Sequence, residues 1–290
     1  MTLFKALIKA LRPKQWIKNG LLLVAIVFSE RYLDLDAWMK VSAGVALFCM
    51  LSSSGYLVND LKDVEADRGH PKKKFRPIAS GELPVGVAWA AVAVLVAGGL
   101  AGSFALNTHF GIAAVTYLFI TLSYSNFFKH TAILDVMLLS SGFIVRAVAG
   151  AEAIGVASSP WFLTCIAFGA LFIGLIKRLA EIRLLKDEAG AHRKALEEYS
   201  EPLLLQLISI TTACSLISYA LYTFEGAATQ WMMLTLPIVI FAVFRYLLLV
   251  SMEGEGGEPS STLLKDKPLL LSVVAFLAVS IVAMKLGHAG

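Results

Sequence analysis

Charge is scarce in this chain. Only 16% of its 290 residues are Asp, Glu, Lys or Arg, against 58% hydrophobic residues, whereas a soluble domain carries roughly 25% charge. That balance excludes an ordinary water-soluble globular protein. Cysteine is equally sparse. Cys49, Cys165 and Cys214 all fall inside apolar runs with no CxxC spacing, so they read as small packing residues and say nothing of redox compartment. The five histidines form no HExxH or comparable ligand spacing, and no Ser/His or Cys/His relay is apparent. The N-terminal region is basic, with Lys5, Lys9, Arg12, Lys14 and Lys18, and no small-residue cleavage site follows the first apolar run. The expectation is an inserted chain, not a secreted one.

What the chain has in abundance is apolar length. Runs of about 17 to 23 residues, the helical length that crosses a bilayer, alternate with short charged stretches. Nine such runs are expected as spans, near Trp16–Phe28, Met39–Val58, Val85–Ala105, Phe110–Phe128, Ile133–Ala153, Pro160–Ile176, Leu203–Phe224, Trp231–Val250 and Pro268–Met284. The fold class is therefore all-α and polytopic, with residues 1–290 as a single transmembrane domain. Two connections are long and charged, residues 59–84 and residues 177–202. Their placement four spans apart suggests two related halves facing each other across a cleft. Glu253–Pro259 reads as a solvated connector.

The charges are sorted by side. With nine spans, the N-terminus and the loops after the even-numbered spans share one face. That face holds Lys62, Arg68, Lys72, Lys73, Lys74, Arg76, Lys129, Lys177, Arg178, Arg183, Lys186, Arg193, Lys194, Lys265 and Lys267, whereas the other holds little beyond Arg31, Lys40 and Lys285. The rich face is expected in the cytoplasm. Basic residues split among loops in this way do not read as a nucleic-acid surface.

One acidic cluster abuts a span: Asn59-Asp60-Leu61-Lys62-Asp63-Val64-Glu65-Ala66-Asp67. Asn59, Asp63 and Asp67 recur at i, i+4 and i+8, which lines them on one face if the span continues as helix. Carboxylates on one stripe repel one another, and charge at a membrane boundary is costly and usually functional. A hard divalent cation relieves the repulsion. Mg²⁺ suits such a site because it takes few carboxylates and completes its shell with water and substrate phosphate oxygens. The cluster is therefore expected to bind Mg²⁺ through Asn59, Asp60, Asp63 and Asp67, the three aspartates being the catalytic candidates; the alternative is a solvated helix end whose acids are balanced by Lys62 and Arg68.

Basic residues follow at once. Gly69 and Pro71 stop the helix, and Lys73, Lys74 and Arg76 are placed to meet phosphate charge or to anchor the loop on anionic lipid. In the second long loop, Lys177, Arg178 and Glu181 form one polar helical face. It reads as a second metal ligand in Glu181, as phosphate contacts through Lys177 and Arg178, or as an ion-pair ladder. Tyr124, Asn126 and Lys129 end the fourth expected span, and Asp135 and Arg146 lie on the fifth. An intramembrane Arg normally faces the bundle interior or water, so these groups point to a buried substrate cavity. The segment Arg12–Asn19, with Lys14, Lys18 and Asn19, is either an interfacial anchor or a further phosphate contact.

These residues resemble the UbiA superfamily of intramembrane prenyltransferases over nearly the whole chain. The NDxxDxxxD motif at Asn59–Asp67 carries the resemblance, with RPxASG at Arg76–Gly81. Within the superfamily the chain is similar to the branch that transfers phosphoribosyl groups to decaprenyl phosphate. Arg12–Asn19, His70–Pro77, Asp135, Gly142–Gly150 and Lys177–Glu181 carry that finer likeness. Prenyl-diphosphate users typically have a second Asp-rich motif where this chain reads Lys177-Arg-Leu-Ala-Glu181, a basic run with a single acid.

The resemblance implies a UbiA-like bundle and Mg²⁺-dependent transfer of a 5-phosphoribosyl group from phosphoribosyl diphosphate to a polyprenyl phosphate in the membrane. The acceptor phosphate would be held by Lys14, Lys18 or Lys129. Transfer of a prenyl group from a prenyl diphosphate to an aromatic acceptor is the same-fold alternative. A transporter is a remote one, since its site would lie nearer the bilayer midplane.

Overall fold

In lipid, a backbone satisfies its own N–H and C=O groups only by closing into helix or barrel, and these apolar runs close as helices. The computed structural model describes residues 2–29, 31–71, 73–185, 194–227, 229–253 and 265–288. Among them there is no β-strand. The α-helices are α1 (Leu3–Leu11), α2 (Val24–Phe28), α3 (Leu35–Lys62), α4 (Val64–Gly69), α5 (Val85–Leu106), α6 (Thr108–Asn126), α7 (Leu134–Ile154), α8 (Pro160–Leu185), α9 (Glu201–Leu221), α10 (Leu236–Glu253) and α11 (Lys267–His288). Seven segments among the described residues are long and apolar enough to span a bilayer: Leu35–Lys62, Val85–Leu106, Leu134–Ile154, Pro160–Arg183, Glu201–Gly226, Gln230–Ser251 and Lys267–Gly287.

Two of the nine expected spans take another form. The first is a 3₁₀ helix, Pro13–Leu23, leading into the five-residue α2. The fourth is α6, whose apolar run is diluted by Thr108, His109, Thr116, Thr121, Ser123, Ser125 and Asn126. The second long loop also starts later than the charge pattern suggests. Helix α8 runs on to Leu185 and takes Lys177, Arg178 and Glu181 into its last turns. Lys72, Lys186, Asp187, Glu188, His192, Arg193 and most of the Glu253–Pro259 connector lie outside the described residues.

The chain divides into two compact units, residues 1–126 with 145–157, and residues 127–144 with 158–290. In the first, α3 is the central element. Asp34 starts it by accepting a hydrogen bond from the Ala37 amide at 3.1 Å, an N-cap that satisfies an otherwise orphaned donor. One end of α3 packs Val41, Phe48 and Leu51 against Leu22, Ile26, Phe110, Ala114 and Ala149. Its other end packs Leu57 and Val58 against Ala6 and Ala10 of α1, Ile78, Leu83, and Ala88 and Val92 of α5. Close backbone approach does the rest. A Cβ on Gly150 would stand 2.3 Å from the carbonyl oxygen of Leu22, so α7 and the 3₁₀ helix meet there only because the residue is glycine.

In the second unit the core is built on α8. Phe172, Leu175, Ile176 and Leu179 pack against Val136, Leu196, Leu204, Ile208, Tyr246, Leu249 and Leu269. Ser200 caps α9 by accepting from the Leu203 amide, and Asp266 accepts from Leu269 N at the start of α11.

Candidate functional site

Helix α3 carries a polar stripe along its inner side. Cys49, Ser52, Ser53, Tyr56 and Asp60 recur at helical spacing, and the 3₁₀ helix with the residues before it supplies their partners. Proline at position 13 disfavours the α region for the residue before it, so α1 must end at Arg12, which adopts φ 55° and ψ 61°. Such a left-handed conformation is uncommon outside glycine. Trp16 Nε1 donates to Ser53 Oγ at 3.0 Å, and Ser53 Oγ donates to Leu11 O at 3.0 Å. Together these bonds fix the turn against α3. The Arg12 guanidinium then lies 5.0 Å above the Tyr56 ring and donates through Nη2 to Asp60 Oδ1 at 2.6 Å.

A second arginine reaches the same oxygen. Helix α4 ends at Gly69, and beyond it Arg76 Nη1 donates to Asp60 Oδ1 at 3.0 Å and to Asp67 Oδ2 at 2.7 Å. Asp60 and Asp67 are each only 2% exposed, so their charges are held by guanidinium and not by water. Asn59 and Asp63 are half-buried. The helix bends at Asp63 without losing its ladder: Asp63 N donates to Asn59 O and Asp67 N to Asp63 O. The acidic stripe therefore sorts by depth, with Asp60 and Asp67 turned toward arginine. Lys73 and Lys74 are exposed, as is Lys14, and Lys18 is half-buried.

Farther along the α3 stripe stands a buried cation from α7. Arg146, 5% exposed, donates through Nε to Asn19 Oδ1 and through Nη2 to Tyr117 OH, each at 2.8 Å. Its guanidinium also stacks 4.5 Å over the Tyr117 ring. Asn19 in turn donates to Cys49 Sγ and Ser52 Oγ, each at 3.2 Å. Eleven residues of helix put Cys49 about 16 Å from Asp60, so the stripe joins a buried cationic end to an acidic end. Tyr124 is half-buried, and Asn126 accepts a hydrogen bond from Lys62.

The second unit has a cluster of its own. Asp135, fully buried, accepts from Arg178 Nε at 2.7 Å and from Tyr199 OH at 2.8 Å. Arg178 also donates to Glu181 Oε2 at 2.6 Å. Tyr199 OH accepts from the amide of Ile133 at 2.6 Å, and Ile133 is held at φ 68°, a genuine outlier for a β-branched residue. Strain of this kind persists where the surroundings over-determine it. Burial and the Asp135 carboxylate push the Tyr199 hydroxyl well above its ordinary ionisation range. Lys129 and Lys177 are half-buried.

Asp135 is thus paired with Arg178 of α8, eleven residues of helix away from Arg146. Two residues given no individual site role by the sequence stand at these clusters, Arg12 of the Arg12–Asn19 segment and Tyr199. Arg12 has a local signal, the following proline; Tyr199 has none.

The donors around Asn59–Asp67 are all oxygens, which suits Mg²⁺. Among the described residues no three His, Cys, Asp or Glu side chains stand together as a ready metal site. Two guanidinium groups hold Asp60 and Asp67, and the carboxylate oxygens they meet are hard donors of the kind Mg²⁺ takes. The residues fit the ion on that ground.

Residues 21–265 match the family model described as the UbiA prenyltransferase family. The chain is similar to the decaprenyl-phosphate phosphoribosyltransferase of Mycobacterium tuberculosis, at 36% identity over 282 residues, covering 95% of this chain and 93% of that protein. It is similar to the Corynebacterium glutamicum protein of the same name at 39% identity over 293 residues, covering 96% and 86%. Its fold matches that of a UbiA homolog from Archaeoglobus fulgidus bound to GPP and Mg²⁺, with TM-score 0.74, 22% identity, and 97% and 99% of the two chains covered.

Proposed function

The chain belongs to the UbiA prenyltransferase family, and from that premise we propose that it transfers a 5-phosphoribosyl group from phosphoribosyl diphosphate to a polyprenyl phosphate. The observation that carries this reading is the identity of 36–39% to decaprenyl-phosphate phosphoribosyltransferases over nearly the full chain. The protein is a membrane-embedded transferase.

In this reading Asn59, Asp60, Asp63 and Asp67 hold Mg²⁺, which when bound neutralises the donor diphosphate and stabilises it as a leaving group. Arg76 stands between Asp60 and Asp67 and, with Lys73 and Lys74, offers donors to the diphosphate oxygens. The bond from the ribose anomeric carbon to the diphosphate breaks with its electron pair going to the diphosphate. An oxygen of the lipid phosphate forms the new bond to that carbon. The attacking phosphate is already an anion, so the chain needs no general base. Lys14 and Lys18 are the proposed contacts for the acceptor phosphate in the first unit, with Asn19, Tyr124 and Arg146 lining the inner stripe. In the second unit Lys129, Lys177 and Arg178 are proposed phosphate contacts. Asp135 fixes Arg178, and Glu181 is the proposed second metal ligand.

We propose further that residues 1–290 act as one catalytic domain of nine spans, with the acidic cluster on the cytoplasmic side where Lys and Arg concentrate. The geometry of the first crossing supports this. A 3₁₀ helix rises about 2.0 Å per residue, so Pro13–Phe28 reaches about 30 Å, enough for the hydrocarbon core. Donor competition tests the reaction. Phosphoribosyl diphosphate should label an organic-extractable lipid in the purified protein, and geranyl diphosphate should neither compete nor be consumed with an aromatic acceptor. Consumption of the prenyl diphosphate would replace this reading with the prenyl-transfer one.

A further inference from the structure

Asp60 Oδ1 receives Arg12 Nη2 at 2.6 Å and Arg76 Nη1 at 3.0 Å. The same Arg76 nitrogen lies 2.7 Å from Asp67 Oδ2. A cation cannot take that Asp60 oxygen while both guanidiniums hold it. Nor would the two arginines remain stable beside the carboxylates if a divalent ion joined them there without an anion. Burying uncompensated charge of either sign is costly. An arriving diphosphate changes the balance, because guanidinium binds phosphate oxygens bidentately as readily as it binds carboxylate.

We propose that Arg12 and Arg76 are positioning residues that stand in for the metal on Asp60 and Asp67, and that they transfer to the diphosphate when metal and diphosphate bind together. The inference rests on the phosphoribosyl-diphosphate reading above only in taking a diphosphate as the ligand. Arg12 is set up for the move. It lies at the end of α1, is 29% exposed, and is tied to α3 through the neighbouring Trp16–Ser53 bond. Its side chain can therefore swing while its backbone stays fixed. Two consequences follow by linkage. Metal alone binds weakly, because it must expel arginine from Asp60, and diphosphate alone binds weakly, because it must pull arginine away from a bare carboxylate pair. Each ligand tightens the other by the same factor.

The test is binding, not turnover. Mn²⁺ affinity of the full-length detergent-solubilised protein is measured by electron paramagnetic resonance at matched free Mn²⁺, with and without inorganic diphosphate. Diphosphate binding is measured in the converse titration. The wild type should gain at least about tenfold in each direction. Arg12→Gln should bind Mn²⁺ alone more tightly than wild type, bind diphosphate more weakly, and show a smaller mutual gain. Arg12→Lys, which keeps the charge without the planar fork, should fall between.

Equal Mn²⁺ affinity with and without diphosphate in the wild type would overturn the proposal, and that arm needs no variant to fold. So would an Arg12→Gln protein, monodisperse by gel filtration, whose Mn²⁺ affinity alone is unchanged or lower. Either result would leave the transfer reaction standing. Coupling without phosphoribosyl transfer would instead sink the donor assignment and leave the exchange intact.

Discussion

Arg76 bridges Asp60 and Asp67 with a single nitrogen, 3.0 Å from one carboxylate and 2.7 Å from the other. Those aspartates are seven residues apart, and between them lies Asp63, half-buried at the bend of the helix. The three acids of one motif therefore differ in burial.

Replacing them one at a time should separate stability from activity. Asp60→Asn removes the charge that Arg12 and Arg76 share. It should lower stability by about 1–3 kcal/mol, the range between exposed and buried pairs, and cut transfer by about a hundredfold or more. Asp63→Asn should cut transfer comparably with a smaller loss of stability. Thermal midpoints beside initial rates check this, and equal midpoint losses would contradict the assignment.

Gly150 permits the contact between α7 and the 3₁₀ helix. Gly150→Ala places a methyl group 2.3 Å from Leu22 O, a backbone atom, and should destabilise by about 1–3 kcal/mol. Because Leu22 follows Asn19 by one turn, the variant should also loosen the Asn19–Arg146 bond. Asn19→Ala, which removes that bond without the clash, should be the milder of the two. The comparison is made by thermal midpoint in detergent.

Tyr199 gives the second unit a pH signature. Its folded hydroxyl ionises above its ordinary value of 10.0, chiefly through burial and then through Asp135. A raised pKa means that folding favours the protonated phenol, so the stabilisation is complete below about pH 10 and is lost as pH rises beyond it. The thermal midpoint should fall between pH 9.5 and 11 in the wild type. Tyr199→Phe, less stable at neutral pH for want of the bond to Asp135, should lose less over that interval. An identical alkaline slope would remove Tyr199 as its source.

Asp266 works in the opposite sense. Arg245 Nη2, 2.7 Å away, holds its carboxyl below the ordinary range. The ion pair is in place above about pH 4 and is lost as pH falls through the depressed value. Arg245→Gln should flatten the acid side of the stability profile and leave the alkaline side alone.

Much of this was legible in the sequence, for physical reasons that differ by residue. Acids next to an apolar span are costly enough that the sequence marks Asn59–Asp67 as unusual, and the structure sets Asp60 and Asp67 of that run against Arg12 and Arg76. The family resemblance drawn from those motifs agrees with the family match over residues 21–265. The Pro13–Leu23 stretch was not legible as 3₁₀, because apolar composition is the same for either helix. Lys177, Arg178 and Glu181 read as one polar helical face at the start of the second charged stretch, and α8 carries that face as a direct continuation to Leu185. Arg12 and Tyr199 depend on partners 48 and 64 residues away, and no local pattern encodes such contacts.

The most direct test of the central claim is a stoichiometry. Purified protein is given ribose-labelled phosphoribosyl diphosphate, a polyprenyl phosphate and Mg²⁺, and labelled lipid and released diphosphate are counted together. One diphosphate per labelled lipid is expected, with both signals lost on chelation of Mg²⁺ and in Asp63→Asn. Diphosphate release without a phosphoribosylated lipid, or labelled lipid that forms equally well in the Asp63→Asn protein, would contradict the account.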